Sequence, residues 1–130
     1  MAKIIVAEVA GIKYPLLFSL GAYVKCKERL GEMSEIFEKV NFIKSQDVDS
    51  NIFLFCEMNK WALERLKYSA LEEVEECDRN AIGAEKALAV WDYEEIYDVS
   101  MANIAALRAG LKREIEAEGG KKNVDATQED

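Results

Sequence analysis

Histidine is absent from the 130 residues of this sequence. Because imidazole is the side chain whose ordinary pKa lies near neutrality, its absence excludes Ser-His-Asp and Cys-His catalysis and every zinc site that contains histidine. Cysteine occurs at positions 26, 56 and 77, an odd number without a CxxC pair. This spacing predicts reduced thiols in the core of a cytoplasmic protein rather than disulfides or metal ligands.

Acidic residues are densest at positions 72–78. Ser69-Ala-Leu-Glu72 has the pattern of a capping box, so we expect a helix to begin at Ser69 and to carry the acidic run. Calcium loops need a glycine turn and ferritin-like di-iron sites need a histidine, and the run has neither. The sequence therefore predicts a solvated helix face and no metal site.

Other signatures of enzymes are missing as well. The glycines form neither GxGxxG nor GxxxxGKS/T, and no feature of the sequence marks one pair of carboxylates as buried in a cleft. We therefore expect no catalytic activity and no cofactor. The alternative is an enzyme that uses Glu or Cys as its reactive group.

Charge and hydropathy restrict the partners. Acidic residues number 25 and basic residues 17, and the net charge of −8 disfavours binding to a phosphate backbone. No apolar run approaches the roughly 20 residues of a membrane span. The short apolar run after Lys3 ends at Glu8, too early for a signal peptide. We expect a protein of the cytoplasm that binds neither nucleic acid nor membrane.

The first 18 residues predict a β-hairpin. Residues 3–9 and 12–18 are rich in strand formers, and Ala10-Gly11 between them suits a tight turn. Pro15 cannot donate to a β-ladder, so we expect it at an open edge or a bulge. An open hairpin edge would allow strand addition between subunits.

From Ser19 onward the hydrophobic pattern is helical. Ser19 is the expected cap of a first helix that Gly31 ends. A short helix follows at residues 33–40, and a connection covers residues 41–49. The residues expected to point inward from these three segments are Leu20, Tyr23, Val24, Leu30, Met33, Ile36, Phe37, Val40, Phe42 and Ile43.

The second half of the chain predicts longer helices. A very apolar helix capped by Asp49 or Ser50 is expected to form the hub of the core, and contact of part of its apolar surface with another subunit is the alternative. Residues 84–91 resume the helical pattern, and Asp92-Tyr-Glu-Glu95 predicts the start of a long helix that ends near Glu118, with Val99-Ser100 as a candidate break. Gly119-Gly120 ends that helix, and the residues beyond contain too little apolar surface to fold.

These elements predict an α+β, mostly α fold. Residues 1–118 form a single domain, with a β-hairpin at 1–18 followed by a bundle of about five helices at 19–118. Residues 119–130 form a flexible tail. On the last helix, an apolar stripe is the candidate partner-binding surface, and packing of the same stripe on the third helix is the alternative. The stripe consists of Ile104, Leu107, Leu111 and Ile115.

Two segments resemble the opening of the tail assembly chaperones of long-tailed bacteriophages and prophages. They read Ile12-Lys-Tyr-Pro-Leu-Leu-Phe-Ser-Leu-Gly-Ala22 and Glu28-Arg-Leu-Gly-Glu-Met-Ser-Glu-Ile-Phe-Glu38. The family pattern, roughly G-K-x-Y-x-L-x-F, is matched by Gly11, Tyr14, Leu16 and Phe18. The lysine departs from it, because Ile12 follows the glycine and Lys13 comes one position later. The resemblance covers about residues 4–40.

The resemblance implies a non-enzymatic protein of the host cytoplasm. Such chaperones bind the long helical tape measure protein and keep it soluble, self-associate around it, and release it when tail-tube protein replaces them. Many are also made in an extended form by a ribosomal frameshift, and that form is thought to recruit tail-tube protein. Lys121-Lys122-Asn123 is compatible with the slippery heptamer A-AAA-AAC. The codons of the gene test this hypothesis, since any codon that interrupts the adenine tract removes it.

Two other functions are compatible with the sequence. An acidic inhibitor that mimics DNA would use the carboxylate excess, although Lys and Arg intersperse the acids outside residues 72–78. A helical regulatory domain that dimerises without a client is the second alternative. A salt-sensitive complex with a basic enzyme would favour the first of these.

Overall fold

The structure, a computed structural model, describes residues 3–69 and 74–119, with the side chains of the last helix described up to residue 111. An N-terminal hairpin precedes the helices, as predicted, so the α+β, mostly α fold is confirmed. The predicted tail lies outside the described residues from position 120 onward. The elements in chain order are β1 (Ile5–Val9), β2 (Ile12–Leu16), α1 (Leu20–Leu30), α2 (Met33–Val40), α3 (Phe42–Ser45), α4 (Val48–Tyr68), a 3-10 turn (Glu76–Asp78), α5 (Ala84–Val90) and α6 (Glu95–Gly119).

The hairpin turns at Ala10-Gly11, as predicted. Both residues have positive φ, 53° and 81°, which is the backbone of a type I′ turn and matches the twist of the two strands. Val9 pairs with Ile12, and the alternation of paired positions places Pro15, opposite Val6, where its missing N–H faces away from β1.

The outer edge of β2 is closed, contrary to the prediction of an open edge at Pro15. The Asn59 amide donates to the Pro15 carbonyl at 3.1 Å, and the Asn80 amide donates to the Lys13 carbonyl at 2.7 Å. The Leu17 N–H donates to the Met58 carbonyl at 3.0 Å. Pro15 itself is buried. These bonds occupy the outward carbonyls of Lys13 and Pro15 and the Leu17 N–H, so these groups of the β2 edge are not free for strand addition.

Helix α4 is the hub of the core, as predicted, and packs against β2, α1 and α6. Its cap is Asp47 rather than Asp49 or Ser50, since the Asp47 carboxylate accepts the Ser50 N–H at 2.9 Å. The buried apolar residues of α4 are Ile52, Leu54, Phe55, Met58 and Ala62.

The inner faces of α1 and α3 differ from those predicted. Ser19 caps α1 as expected, but Leu20 is 79% exposed and Val24 is also exposed. The face of α1 that is buried carries Ala22, Cys26 and Leu30. In the connection, which contains the unpredicted helix α3, Phe42 is buried as expected while Ile43 is exposed. Small residues let α1 approach α4 closely, so the larger side chains Leu20 and Val24 face outward.

The helix predicted from Ser69 is not observed where the chain is described. Ser69 ends α4, the rest of the predicted capping box lies outside the described residues, and only a 3-10 turn at Glu76–Asp78 is helical. By contrast, α6 passes through Val99 and Ser100 without the candidate break. At Glu76–Asp78, repulsion between neighbouring carboxylates disfavours a helix. In α6, Ser100 is instead held by tertiary hydrogen bonds that are described below.

Candidate protein-binding surface

The predicted stripe on α6 lies largely in the core. Leu107 is buried, and Ile104 is half-buried and packs against the core. Leu111 is 38% exposed, and Ile115 lies beyond the described side chains. The contact of α6 is close here, because a Cβ added to Gly110 would lie 2.8 Å from the Phe18 carbonyl oxygen. Ile104 and Leu107 therefore pack within the chain, which was the alternative to their prediction as partner-binding residues.

A second apolar surface lies around the first half of α6. Tyr93, Tyr97 and Met101 are 62%, 43% and 67% exposed and follow one another at four-residue intervals. Ile43 on α3 is exposed at 72%. We name Tyr93, Tyr97 and Met101 the Tyr-Met ridge. Exposed aromatic and Met side chains of this size are typical of protein-binding surfaces.

The two tyrosine rings of the ridge pack against one buried ring. Phe42 contacts Tyr93 and Tyr97 edge to face, with centroid distances of 5.8 and 5.3 Å. The two tyrosines are themselves 6.3 Å apart, and the Tyr93 hydroxyl donates to the Gln46 side-chain oxygen at 3.3 Å. The rings are thus held in place while one side of each faces solvent, an arrangement that limits the entropy lost on binding.

Ser100 fixes α3 to α6 below the ridge. Its hydroxyl donates to the Val40 carbonyl at 2.6 Å and accepts the Phe42 N–H at 3.2 Å. These bonds satisfy the backbone between α2 and α3, and they position the Phe42 ring under the tyrosines. A serine in the middle of a helix suggests a break, but its partners are 58 and 60 residues away in sequence.

Acidic residues border the ridge on the α6 side. Asp92, Glu94 and Asp98 are exposed, and none of them forms an ion pair with another described residue. Lys44 is exposed and follows Ile43 on α3, and the exposed Arg108 lies about two turns beyond Met101 along α6. The surface therefore combines an apolar centre with a mainly negative border on the side of α6.

Burial makes two of the three thiols poor nucleophiles. Desolvation by burial, with a smaller effect of the Glu57 charge, raises the pKa of Cys26 to about 12 and that of Cys56 to about 11. Both thiols therefore stay protonated at neutral pH, the form that is a poor nucleophile. Cys77 was predicted in the core and is instead exposed, because the helix expected around it does not form at Glu76–Asp78.

The groove of about 580 Å³ beside α2 and α3 contains one carboxylate, Glu38, among its lining residues. General acid-base catalysis by carboxylates uses a pair of them. Over residues 3–69 and 74–111, no three acidic or cysteine side chains converge as metal ligands would.

Sequence reasoning missed the Tyr-Met ridge because α6 is apolar on two faces. Tyr97 and Met101 fall in the same three- and four-residue progression as Ile96 and Ile104, so periodicity merges the outward and inward residues. The signal that separates the exposed residues from the buried ones is the four-residue spacing of Tyr93, Tyr97 and Met101, together with the neighbouring acids Glu94 and Asp98.

No helix in the described part of the chain combines the length and the apolar character needed to cross a lipid bilayer. Comparisons of the sequence with models of protein families and with curated proteins, and of the fold with solved structures, find no match.

Proposed function

We propose that this protein is a non-enzymatic tail assembly chaperone of a long-tailed phage or prophage, which binds the tape measure protein in the host cytoplasm and keeps it soluble. The observation that carries the proposal is the Tyr-Met ridge, an exposed apolar surface of the described part of the chain. Tail-tube protein and further copies of the chain are the other proposed partners.

The residues that carry the family resemblance have a structural role in this fold. Gly11 supplies the positive φ of the hairpin turn, and Tyr14, Leu16 and Phe18 are buried in the main core. The motif therefore accounts for the hairpin and its packing on α4, while binding is assigned to a surface outside the motif. This division is compatible with the proposal, because residues that build the scaffold leave a separate surface for the client.

The ridge suits a client that is long, helical and poorly soluble. Met is unbranched and adapts to irregular apolar surfaces, and Tyr supplies a large contact area at small cost in side-chain entropy. A net charge of −8 keeps the complex soluble while its apolar surface is covered. The ridge is small, so affinity for one contact is modest, and several copies along one client would provide avidity.

Co-expression with the candidate client tests the proposal. The client is the product of a very long, helix-rich reading frame expected immediately downstream of this gene, with a tail-tube gene upstream. We expect the chain to raise the soluble yield of that product and to co-purify with it. The double variant Tyr93→Gln/Met101→Gln should lose the effect, whereas the control Leu20→Gln/Val24→Gln, which alters two exposed apolar residues of α1, should retain it.

An unchanged yield together with the absence of a complex contradicts the proposal. Equal loss in both double variants contradicts the assignment to the ridge, because it indicates a nonspecific effect of surface hydrophobicity. A salt-sensitive complex with a basic host enzyme, formed in place of the client complex, would instead indicate the acidic inhibitor.

A further inference from the structure

We propose that the Tyr-Met ridge receives an amphipathic helix whose apolar stripe is bordered by Lys and Arg, with those cations placed against Glu94 and Asp98. The inference rests on the proposed function, in which the ridge contacts a protein client, and it specifies the chemistry of the segment that is bound. A second copy of the chain is treated below as an outcome of the test.

The spacing of the ridge favours a helix as the partner. Tyr97 and Met101 are four residues apart on α6, and rows of side chains at this spacing form the ridges that fit into the grooves of a second helix. From Tyr93 to Met101 the surface extends about 12 Å, or about two turns of helix. Two turns hold three or four anchor residues, the usual number in helix-in-groove recognition. An added β-strand has no exposed edge to join here, because the surface is built from α3 and α6.

The charges next to the ridge select a positive partner. Glu94 directly precedes α6 and Asp98 lies in its first turn, so two exposed carboxylates lie at the same end of the helix, and like charges this close in sequence repel. Neither forms an ion pair with a described residue. A Lys or Arg of the partner placed near both carboxylates would relieve the repulsion. An acidic helix would add a third negative charge.

A pair of synthetic helical peptides tests the proposal. Each is about 18 residues long, or about five turns, with the same leucine stripe, and its polar positions are all Lys in one peptide and all Glu in the other. Fluorescence anisotropy of each labelled peptide, titrated with the complete chain at about 150 mM salt, measures affinity. We expect the Lys peptide to bind about tenfold or more tightly than the Glu peptide.

Two pairs of matched variants locate the contact. Neutralising the acidic border with Glu94→Gln/Asp98→Asn should weaken binding of the Lys peptide about fivefold more than Glu28→Gln/Glu85→Gln, which removes the same charge from α1 and α5. Tyr93→Gln/Met101→Gln should weaken it about tenfold, and Leu20→Gln/Val24→Gln, which alters two exposed apolar residues of α1, should leave it unchanged. Circular dichroism of all four variants is the control that checks whether they remain folded.

Three outcomes overturn the inference. Equal affinity for the two peptides shows that charge does not select the partner. Equal losses within either matched pair show that binding follows net charge or total apolar surface rather than the ridge. A mass by light scattering that exceeds one chain in the native protein and falls to one chain in Tyr93→Gln/Met101→Gln shows that a second copy occupies the ridge.

The inference and the proposed function fail in different ways. If the tape measure protein forms a ridge-dependent complex but the Lys peptide does not bind, only the basic amphipathic partner is wrong. If the Lys peptide binds at the ridge but co-expression yields no complex, the chaperone function is wrong and the ridge serves another basic helical partner.

Discussion

Two aromatic clusters in this protein have nearly the same internal geometry and different surroundings. In both, the rings meet edge to face. Centroid distances are 5.2–6.1 Å among Tyr14, Phe55 and Trp91 and 5.3–6.3 Å among Phe42, Tyr93 and Tyr97. The first cluster joins β2, α4 and the end of α5 within the core, whereas in the second only Phe42 is buried. Ring contacts alone therefore do not distinguish a core from a binding surface.

The polar groups near the clusters differ in the same way. Beside the core cluster, the Asn59 side chain makes three hydrogen bonds, to the carbonyls of Pro15 and Asn80 and from the Ile82 N–H. Near the exposed cluster, Glu94 and Asp98 have no partner of opposite charge among the described residues. Most polar groups of a core are satisfied internally, while a binding surface can leave charges for a partner.

The largest effect is expected in the core cluster. Replacement Phe55→Ala should lower the free energy of unfolding by about 3–5 kcal/mol, because the removed ring is buried and leaves a cavity. Urea denaturation followed by circular dichroism measures the change. Leu88→Ala, at an exposed position on α5, is the control and should stay within about 0.5 kcal/mol of the native protein. Similar losses for the two variants would contradict the distinction between the clusters.

The Asn59 side chain should be nearly as important. Asn59→Leu preserves the approximate volume but leaves buried backbone groups of Pro15 and Ile82 without their partners, so we expect a loss of about 2–4 kcal/mol. Asn80→Ala, whose bonds to Lys13 and Cys77 lie at the surface, should cost about 1 kcal/mol. The measurement is again urea denaturation. If Asn80→Ala costs as much as Asn59→Leu, the surface bond matters more to the closed edge than we infer.

A smaller effect is expected where the second half of α6 joins the core. Gly110→Ala would place a methyl group 2.8 Å from the Phe18 carbonyl oxygen, a backbone atom with little room to move. We expect a loss of about 1–3 kcal/mol from this overpacking. Gly83→Ala has open space around the added methyl group and is the matched control. Thermal unfolding should separate the two variants, and an unchanged midpoint for Gly110→Ala would show that α6 can shift away from Phe18.

The smallest effect on stability is expected in the exposed cluster. Tyr97→Ala removes the ring contacts with Phe42 and Tyr93 and should cost about 0.5–1.5 kcal/mol, because much of the ring is already exposed. The same variant should weaken binding of the Lys peptide about tenfold, equivalent to about 1.4 kcal/mol and therefore comparable with its loss of stability. Anisotropy and urea denaturation on one sample compare the two. A stability loss equal to that of Phe55→Ala would place Tyr97 in the core instead.

Much of the fold was predictable because its determinants are local. The Ala10-Gly11 turn, the Ser19 cap and helix α2 depend on residues within a few positions of one another, and all three predictions are confirmed. Helix α3 was missed because its first N–H is satisfied by Ser100. The prediction of a helix from Ser69 is wrong at Glu76–Asp78, which forms only a 3-10 turn. The capping pattern at Ser69 and the helical spacing of the apolar residues did not outweigh the repulsion between neighbouring carboxylates.

The binding surface was less predictable than the fold. Periodicity marked α6 as apolar along its length, but it did not show which side α4 and β1 would cover. As a result Leu107 was grouped with the partner-binding candidates, although the structure buries it. Ile43 was expected inside and is exposed, since Phe42 fills the space beneath the tyrosines.

The amino-acid sequence by itself determined the chemistry that is excluded and the local elements that form. A chain without histidine has no imidazole in any fold, and turns and caps depend on neighbouring residues. The tertiary structure decided which of two similar aromatic clusters became core and which stayed exposed. Burial depends on elements distant in sequence: α4 covers Tyr14, and within the described residues no element covers Tyr93 and Met101 to the same extent.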